Sequence, residues 1–237
     1  MDASGTDDDT PALGVWTVAA GAIATTSAVT APLPDLIVSA YAWSPAGDRI
    51  VAVAADRSSG QGRLVLLELD DAGAGLRRGP LDPQIEDHRA ADAPVWSPSG
   101  DRLLFPVTAG VGHNVLLADL AGGEVEPLTT SGDNVNAVWM PDGRGVLFLS
   151  WSRSGTTWTL LDLASGRRGT FLFHRQVLDS RPAWSSDGQT LAFASYAEQR
   201  FSIWTLDLAD GQPRLAIVSR QELGAPRFVG WGTTAGR

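Results

Sequence analysis

The chain has 237 residues, of which 43% are hydrophobic and 19% charged, a balance typical of a globular protein with a buried core. Its formal net charge of −9 argues against nucleic acid as a partner, because an acidic surface repels phosphate backbones. The absence of cysteine excludes disulfides and thiolate metal sites, and without any run of 18 apolar residues we expect no membrane insertion.

The N-terminal segment is acidic and lacks the apolar core of a signal peptide, so we predict a disordered leader over residues 1–13. Residues 14–237 are predicted to form a single domain. The phrase around Trp16, GVWTVAAGAIATTSA, is similar to the last two strands of the repeat unit found further along the chain.

A phrase of 13 residues then recurs four times, each time as a strand, a turn containing Gly, and a second apolar strand. Its tryptophans are separated by 53, 43 and 45 residues, and a weaker copy, FVGWG, places Trp231 a further 47 residues on. The four copies are AWSPAGDRIVAVA with Trp43, VWSPSGDRLLFPV with Trp96, VWMPDGRGVLFLS with Trp139 and AWSSDGQTLAFAS with Trp184.

A second phrase lies at a fixed distance from the first. Asp119, Asp162 and Asp207 each follow their tryptophan by 23 residues, and each ends a strand before a Gly turn and a last strand. The period therefore contains four antiparallel strands and no helix. Tandem units of this size predict an all-β fold, a β-propeller of four-stranded antiparallel blades. We expect five blades, four complete and one shared by the termini; a fragment of a six-bladed ring is the alternative.

The phrases W-S-P-D-G-x-x-L-A-F and I-W-x-x-D-L-x-x-G resemble the TolB-type, WD40-like propeller repeat. Trp184 to Phe193 and Ile203 to Gly211 match it best, and the resemblance covers roughly residues 14–231. Such repeats occur in a periplasmic protein that binds a lipoprotein and colicins, in tricorn-like proteases and in propellers of prolyl-oligopeptidase-type hydrolases. The resemblance implies a bacterial scaffold in a periplasmic or extracellular setting, with function carried by its loops.

Antiparallel blades place the short repetitive turns at one end of the strands and the irregular segments at the other. Those irregular segments are 80–92, 131–136, 174–181 and 219–227, and a second set spans 56–62, 108–113, 151–157 and 196–201. Variable loops on a rigid scaffold are the usual location of binding residues. The predicted binding residues at this end are Asp87, His88, Asn136, Trp151, His174, Arg175, Arg181 and Arg227. Asn136 and Arg181 are included because each lies three residues before a repeat tryptophan, where the copies differ.

The repeated residues themselves have structural interpretations. The repeat tryptophans and Trp158 are predicted to pack between blades, because periodic apolar positions form cores. The repeated aspartates are predicted to accept backbone N–H bonds in turns, and His113 to lie in an exposed loop. No histidine pair has metal-ligand spacing, and neither a nucleophile elbow nor a phosphate-binding loop is present, so we expect no metal, no cofactor and no catalytic residue.

The sequence thus predicts a non-catalytic propeller that binds a protein or peptide; a small-molecule ligand stays open. The alternative is a hydrolytic propeller, glycoside-active or peptidase-associated, with carboxylates at the channel mouth. Asp92, Asp179 and Glu222 lie in segments that approach that position.

Overall fold

The computed structural model describes residues 12–18, 26–32, 35–60, 62–69, 76–78, 84–85, 89–90, 93–152, 155–173, 176–177, 182–197 and 200–218. These residues form strands and turns, and they include no helix that could span a membrane. The chain divides into two compact units, Met1–Pro94 and Val95–Arg237. Ala12 and Leu13, which the sequence predicts to lie in the leader, belong to the first strand, and residues 1–11 lie outside the described residues.

The first unit contains one hairpin and one larger antiparallel sheet. β1 pairs with β2, as expected for the last two strands of a blade, and the sheet has the order β3-β4-β5-β6, with β7 also paired to β5. Its strands are β1 (Ala12–Val18), β2 (Thr26–Pro32), β3 (Leu36–Trp43), β4 (Arg49–Asp56), β5 (Gly62–Leu69), β6 (Leu76–Arg78), β7 (Gln84–Ile85) and β8 (Arg89–Ala90).

The second unit contains three further antiparallel sheets. They contain β9 to β12, β13 to β16 and β17 to β21; within them consecutive strands pair, except that β17 and β18 both pair with β19. The strands are β9 (Val95–Trp96), β10 (Arg102–Ala109), β11 (Gly112–Asp119), β12 (Val125–Pro127), β13 (Asp133–Trp139), β14 (Gly145–Ser152), β15 (Gly155–Asp162), β16 (Arg168–Phe173), β17 (Gln176–Val177), β18 (Ala183–Trp184), β19 (Thr190–Ala197), β20 (Arg200–Asp207) and β21 (Pro213–Val218).

The serine and aspartate of the W-S-P-x-G-D phrase stabilise its turn through hydrogen bonds. The Ser97 hydroxyl donates to Oδ1 of Asp101 at 2.8 Å and accepts the backbone N–H of Arg102 at 3.0 Å. Gly100 has φ of 73°, a left-handed conformation that favours glycine. The same serine–aspartate bond recurs between Ser44 and Asp48 at 2.7 Å. The repeated phrase is therefore a turn motif, since its polar residues satisfy one another locally.

Two of the four repeat tryptophans are buried, as predicted. Trp96 and Trp139 are 7% and 5% exposed, and Trp184 is half-buried against the core that includes Trp158. The prediction is wrong for Trp43, which is 40% exposed. Trp43 is the last residue of β3 and lies opposite Ile50, which is itself buried in the cluster of that sheet, so the exposure is confined to the tryptophan side chain at the strand end.

Trp139 links two neighbouring sheets of the second unit. Its indole Nε1–H donates to the carbonyl of Val95 at 3.1 Å, and the guanidinium carbon of Arg102 lies 4.9 Å from the centre of its ring. Arg102 also donates to the carbonyl of Gly143 at 3.2 Å. The tryptophan thus contributes a buried ring, a hydrogen bond and a cation–π contact at one position.

Candidate functional site

The connections at the irregular end of the second unit are shorter than the sequence predicts. β10 and β11 are paired as far as Ala109 and Gly112, so only Gly110 and Val111 connect them. The strands β14 and β15 pair as far as Ser152 and Gly155. The segments 108–113 and 151–157, expected as irregular loops, are therefore mostly strand. The same correction holds for 196–201, because β19 and β20 pair as far as Ala197 and Arg200.

At this end, a histidine of one sheet bonds to an aspartate of the next. His113 is the second residue of β11, after Gly112, and Asp133 is the first residue of β13. Oδ1 of Asp133 accepts the backbone N–H of His113 at 3.1 Å and lies 2.6 Å from its Nδ1. Both side chains are about one-third exposed, at 36% for His113 and 34% for Asp133. The pair fixes the imidazole ring while leaving both residues accessible to a ligand.

Asn134 supports this pair from inside the sheet. Its side chain is buried, with Nδ2 donating to the carbonyl of Ser131 at 2.8 Å and to that of His113 at 3.3 Å. Its Oδ1 accepts the hydroxyl of Ser150 at 2.7 Å. A buried amide with both ends bonded is rigid, so Asn134 holds the start of β13 against the start of β11.

The two segments approach so closely here that glycine is required. A Cβ atom on Gly112 would lie 2.5 Å from the carbonyl oxygen of Gly132, a backbone atom that cannot swing aside. Gly132 itself has φ of 92°. The close approach allows Asp133 to reach the backbone of His113.

Trp151 is the register partner of Asp133 in the adjacent strand. It lies near the end of β14, directly opposite Asp133 on β13 and Thr156 on β15. The first five residues of β14, 145–149, are buried, whereas Trp151 is 39% exposed. Its backbone is thus fixed by pairing on both sides while the ring faces solvent. We call Trp151, Asp133 and His113 the rim cluster.

Asn136 is positioned differently from the prediction. It was expected in a loop released from packing, but it lies inside β13 and is 7% exposed. Its φ of 55° falls in the left-handed region, where the register of β13 shifts between Val135 and Val138. Asparagine tolerates this conformation better than most residues. Asn136 therefore lies at a bulge of β13, where a residue that tolerates a left-handed backbone is favoured.

The other predicted binding residues are not described by the structure. Asp87, His88, His174, Arg175, Arg181 and Arg227 lie outside the described residues, as do the carboxylates of the hydrolytic alternative, Asp92, Asp179 and Glu222.

The repeated aspartates have the turn role predicted from their spacing. Oδ1 of Asp119 accepts the backbone N–H of Ala121 at 2.8 Å, and Oδ1 of Asp162 accepts that of Ser165 at 2.7 Å. The Ser165 hydroxyl and backbone N–H lower the pKa of Asp162. Over the described part of the chain, no three histidine or carboxylate side chains come together as a metal site would require.

The sequence did not identify His113, Asp133 or Asn134 as a cluster. His113 and Asp133 are 20 residues apart and belong to different repeats. Their contact depends on how two sheets pack, which residue spacing does not encode. The available signal was indirect, since both lie at the irregular ends of their repeats, in segments 108–113 and 131–136.

No protein-family model and no curated protein sequence matches the chain. Solved structures do match. TolB from Acinetobacter baumannii is 21% identical with a TM-score of 0.60, over 85% of this chain and 47% of that one. Putative TolB from Agrobacterium tumefaciens is 16% identical with a TM-score of 0.61, over 86% of this chain and 74% of that one.

A protease propeller is also similar. The β-propeller domain of the Trilobed protease from Pyrococcus furiosus is 15% identical with a TM-score of 0.56, over 77% of this chain and 57% of that one. At these identities the likeness concerns the fold, and it confirms the architecture that the tryptophan phrases predict. The chain therefore has a β-propeller fold of four-stranded antiparallel blades, similar to that of TolB.

Proposed function

We propose that this chain is a non-catalytic propeller that binds a protein or peptide partner at the rim cluster. The observation that carries the proposal is Trp151, a large aromatic side chain exposed at the end of a fully paired strand. Tryptophan is enriched among residues that dominate binding energy, because it buries a large area and loses little conformational entropy.

The surroundings of Trp151 support the same proposal. His113 and Asp133 are held by hydrogen bonds and by the buried Asn134 beneath them, so the polar groups next to the indole are already ordered. A partner that docks here would spend little free energy on ordering the site. An aromatic residue beside fixed polar groups is the arrangement found at the centre of many interfaces.

A phage-displayed random peptide library, selected on the immobilised full chain, tests the proposal. Enriched peptides are then titrated calorimetrically against the wild type and Trp151→Ala. Loss of a central aromatic contact costs about 2 kcal/mol or more, so we expect Trp151→Ala to weaken binding by roughly 30-fold.

The control is Arg144→Ala. Arg144 is exposed in the turn between β13 and β14, at the opposite end of the same sheet. Its substitution should leave the dissociation constant unchanged. If the selected peptides lose affinity for Arg144→Ala and keep it for Trp151→Ala, the peptides bind at the end of the sheet that carries the repetitive turns, and the proposal is wrong.

A further inference from the structure

We infer that the rim cluster recognises a positively charged side chain of the partner, and that arginine fits it best. This inference rests on the proposed function, since it specifies the chemistry of the same site. It starts from the register of the sheet. Asp133 and Trp151 are directly opposite on β13 and β14, so their Cβ atoms project from the same face at about 4.5–5.5 Å.

The two oxygens of the Asp133 carboxylate differ in their contacts within the described part of the chain. Both hydrogen bonds from His113 are made to Oδ1 of Asp133. Among the described residues, none donates to Oδ2, and the side chain is 34% exposed. A ligand with N–H donors and a positive charge would complete the coordination of this carboxylate.

The indole of Trp151 offers a second contact for a cation, through its aromatic ring. Tryptophan has the aromatic ring that attracts cations most strongly, and 39% of Trp151 is exposed to solvent. The protein already uses this contact internally, with the Arg102 guanidinium 4.9 Å from the centre of the Trp139 ring. The chain as a whole carries a net charge of −9, which attracts a basic partner at long range.

Arginine is favoured over lysine because of its shape. A guanidinium is planar, so it can lie flat on an indole while its edge donates to a carboxylate. A lysine ammonium is a compact and strongly hydrated charge that satisfies the carboxylate but covers less of the ring. The cluster should therefore rank arginine above lysine, and lysine above a neutral side chain of the same length.

The test uses capped pentapeptides, Gly-Gly-X-Gly-Gly, with X as arginine, lysine, citrulline or glutamate. Each is titrated at millimolar concentration into the ¹⁵N-labelled full chain, and the indole N–H signal of Trp151 is followed by NMR, assigned with Trp151→Phe. Citrulline is the matched neutral analogue of arginine. We expect saturable shifts at Trp151 with arginine binding at least several-fold tighter than citrulline, and glutamate without effect.

Asp133→Asn isolates the charge, because the amide keeps Oδ1 as an acceptor for the His113 backbone. This variant should remove most of the preference for arginine over citrulline. Asp142→Asn changes the net charge equally in the turn at the opposite end of the sheet and should preserve that preference.

The failures of the two proposals differ. Equal binding of arginine and citrulline, an unaltered preference in Asp133→Asn, or no shift at Trp151 with any peptide would overturn the inference about charge. The proposed function would still stand if library-selected peptides lost affinity for Trp151→Ala. If those peptides bound Trp151→Ala and the wild type equally, the proposed function itself would fail.

Discussion

Trp139→Ala is the substitution that tests the packing of the sheets most directly. The side chain is 5% exposed and contacts a core that includes Leu104, Val146 and Phe148. Removing a buried aromatic ring costs about 3–5 kcal/mol, through lost burial and the cavity that remains. The variant also loses the bond from Nε1 to Val95, so we expect a decrease in the free energy of unfolding toward the upper end of that range.

The assay is urea denaturation of the full chain followed by far-ultraviolet circular dichroism, with each variant fitted to its own folded and unfolded baselines. Trp139→Phe separates the contributions, since it keeps a ring for the core and for Arg102 but removes the hydrogen bond. That bond is worth about 0.5–1.5 kcal/mol, so Trp139→Phe should cost much less than Trp139→Ala.

Trp151→Ala is the matched control, because it makes the same truncation at an exposed position of the neighbouring strand. It should change the free energy of unfolding by less than about 1 kcal/mol. If Trp139→Ala cost no more than Trp151→Ala, the repeat tryptophan would not hold the sheets together, and the packing argument would be refuted.

Three further changes test local features. Gly112→Ala should lower the free energy of unfolding by about 1–3 kcal/mol, because its Cβ would collide with the Gly132 carbonyl, whereas Gly122→Ala, with no atom nearer than 3.8 Å, should cost less than 1 kcal/mol. At Asn136, with φ of 55°, glycine should be more stable than alanine by about 1 kcal/mol; the opposite order would argue against backbone strain there. The Ser99 and Ser97 hydroxyls lower the pKa of Asp101, so its stabilisation is complete above about pH 4 and is lost as pH falls through the lowered pKa. Asp101→Asn should flatten the dependence of unfolding free energy on pH in that acid range, and an unchanged slope would contradict this assignment.

Much of the fold could be predicted because each repeat encodes its own hairpins. The serine, glycine and aspartate of the W-S-P-x-G-D phrase meet within five residues, and Asp119 and Asp162 bond to N–H groups two or three residues ahead. Hydrogen bonds between residues so close in the chain can be predicted from the sequence. The apolar, β-prone runs beside these turns then identified the strands that the turns connect.

The candidate site was harder to predict because it depends on contacts between repeats. The bond between His113 and Asp133 requires two sheets to approach at Gly112 and Gly132. The spacing of residues along the chain does not predict such an approach. Variation between repeats was also ambiguous. A position that differs between repeats can be a surface residue selected for binding or a residue adapted to an irregular backbone. Asn136 lies at a bulge and has a left-handed backbone. Two of the predicted binding residues, Asn136 and Trp151, fall within the described part of the chain, and of these two Trp151 is exposed.

The order of strands within each sheet has a consequence for how the protein is made. In the sheet from β13 to β16, every strand pairs with the one that precedes or follows it, through short hairpins. Contacts between residues close in sequence form quickly, because little chain entropy is lost in closing them. As the polypeptide leaves the ribosome, that sheet has all its partners as soon as Phe173 has emerged, and it can begin to assemble before the next repeat is translated.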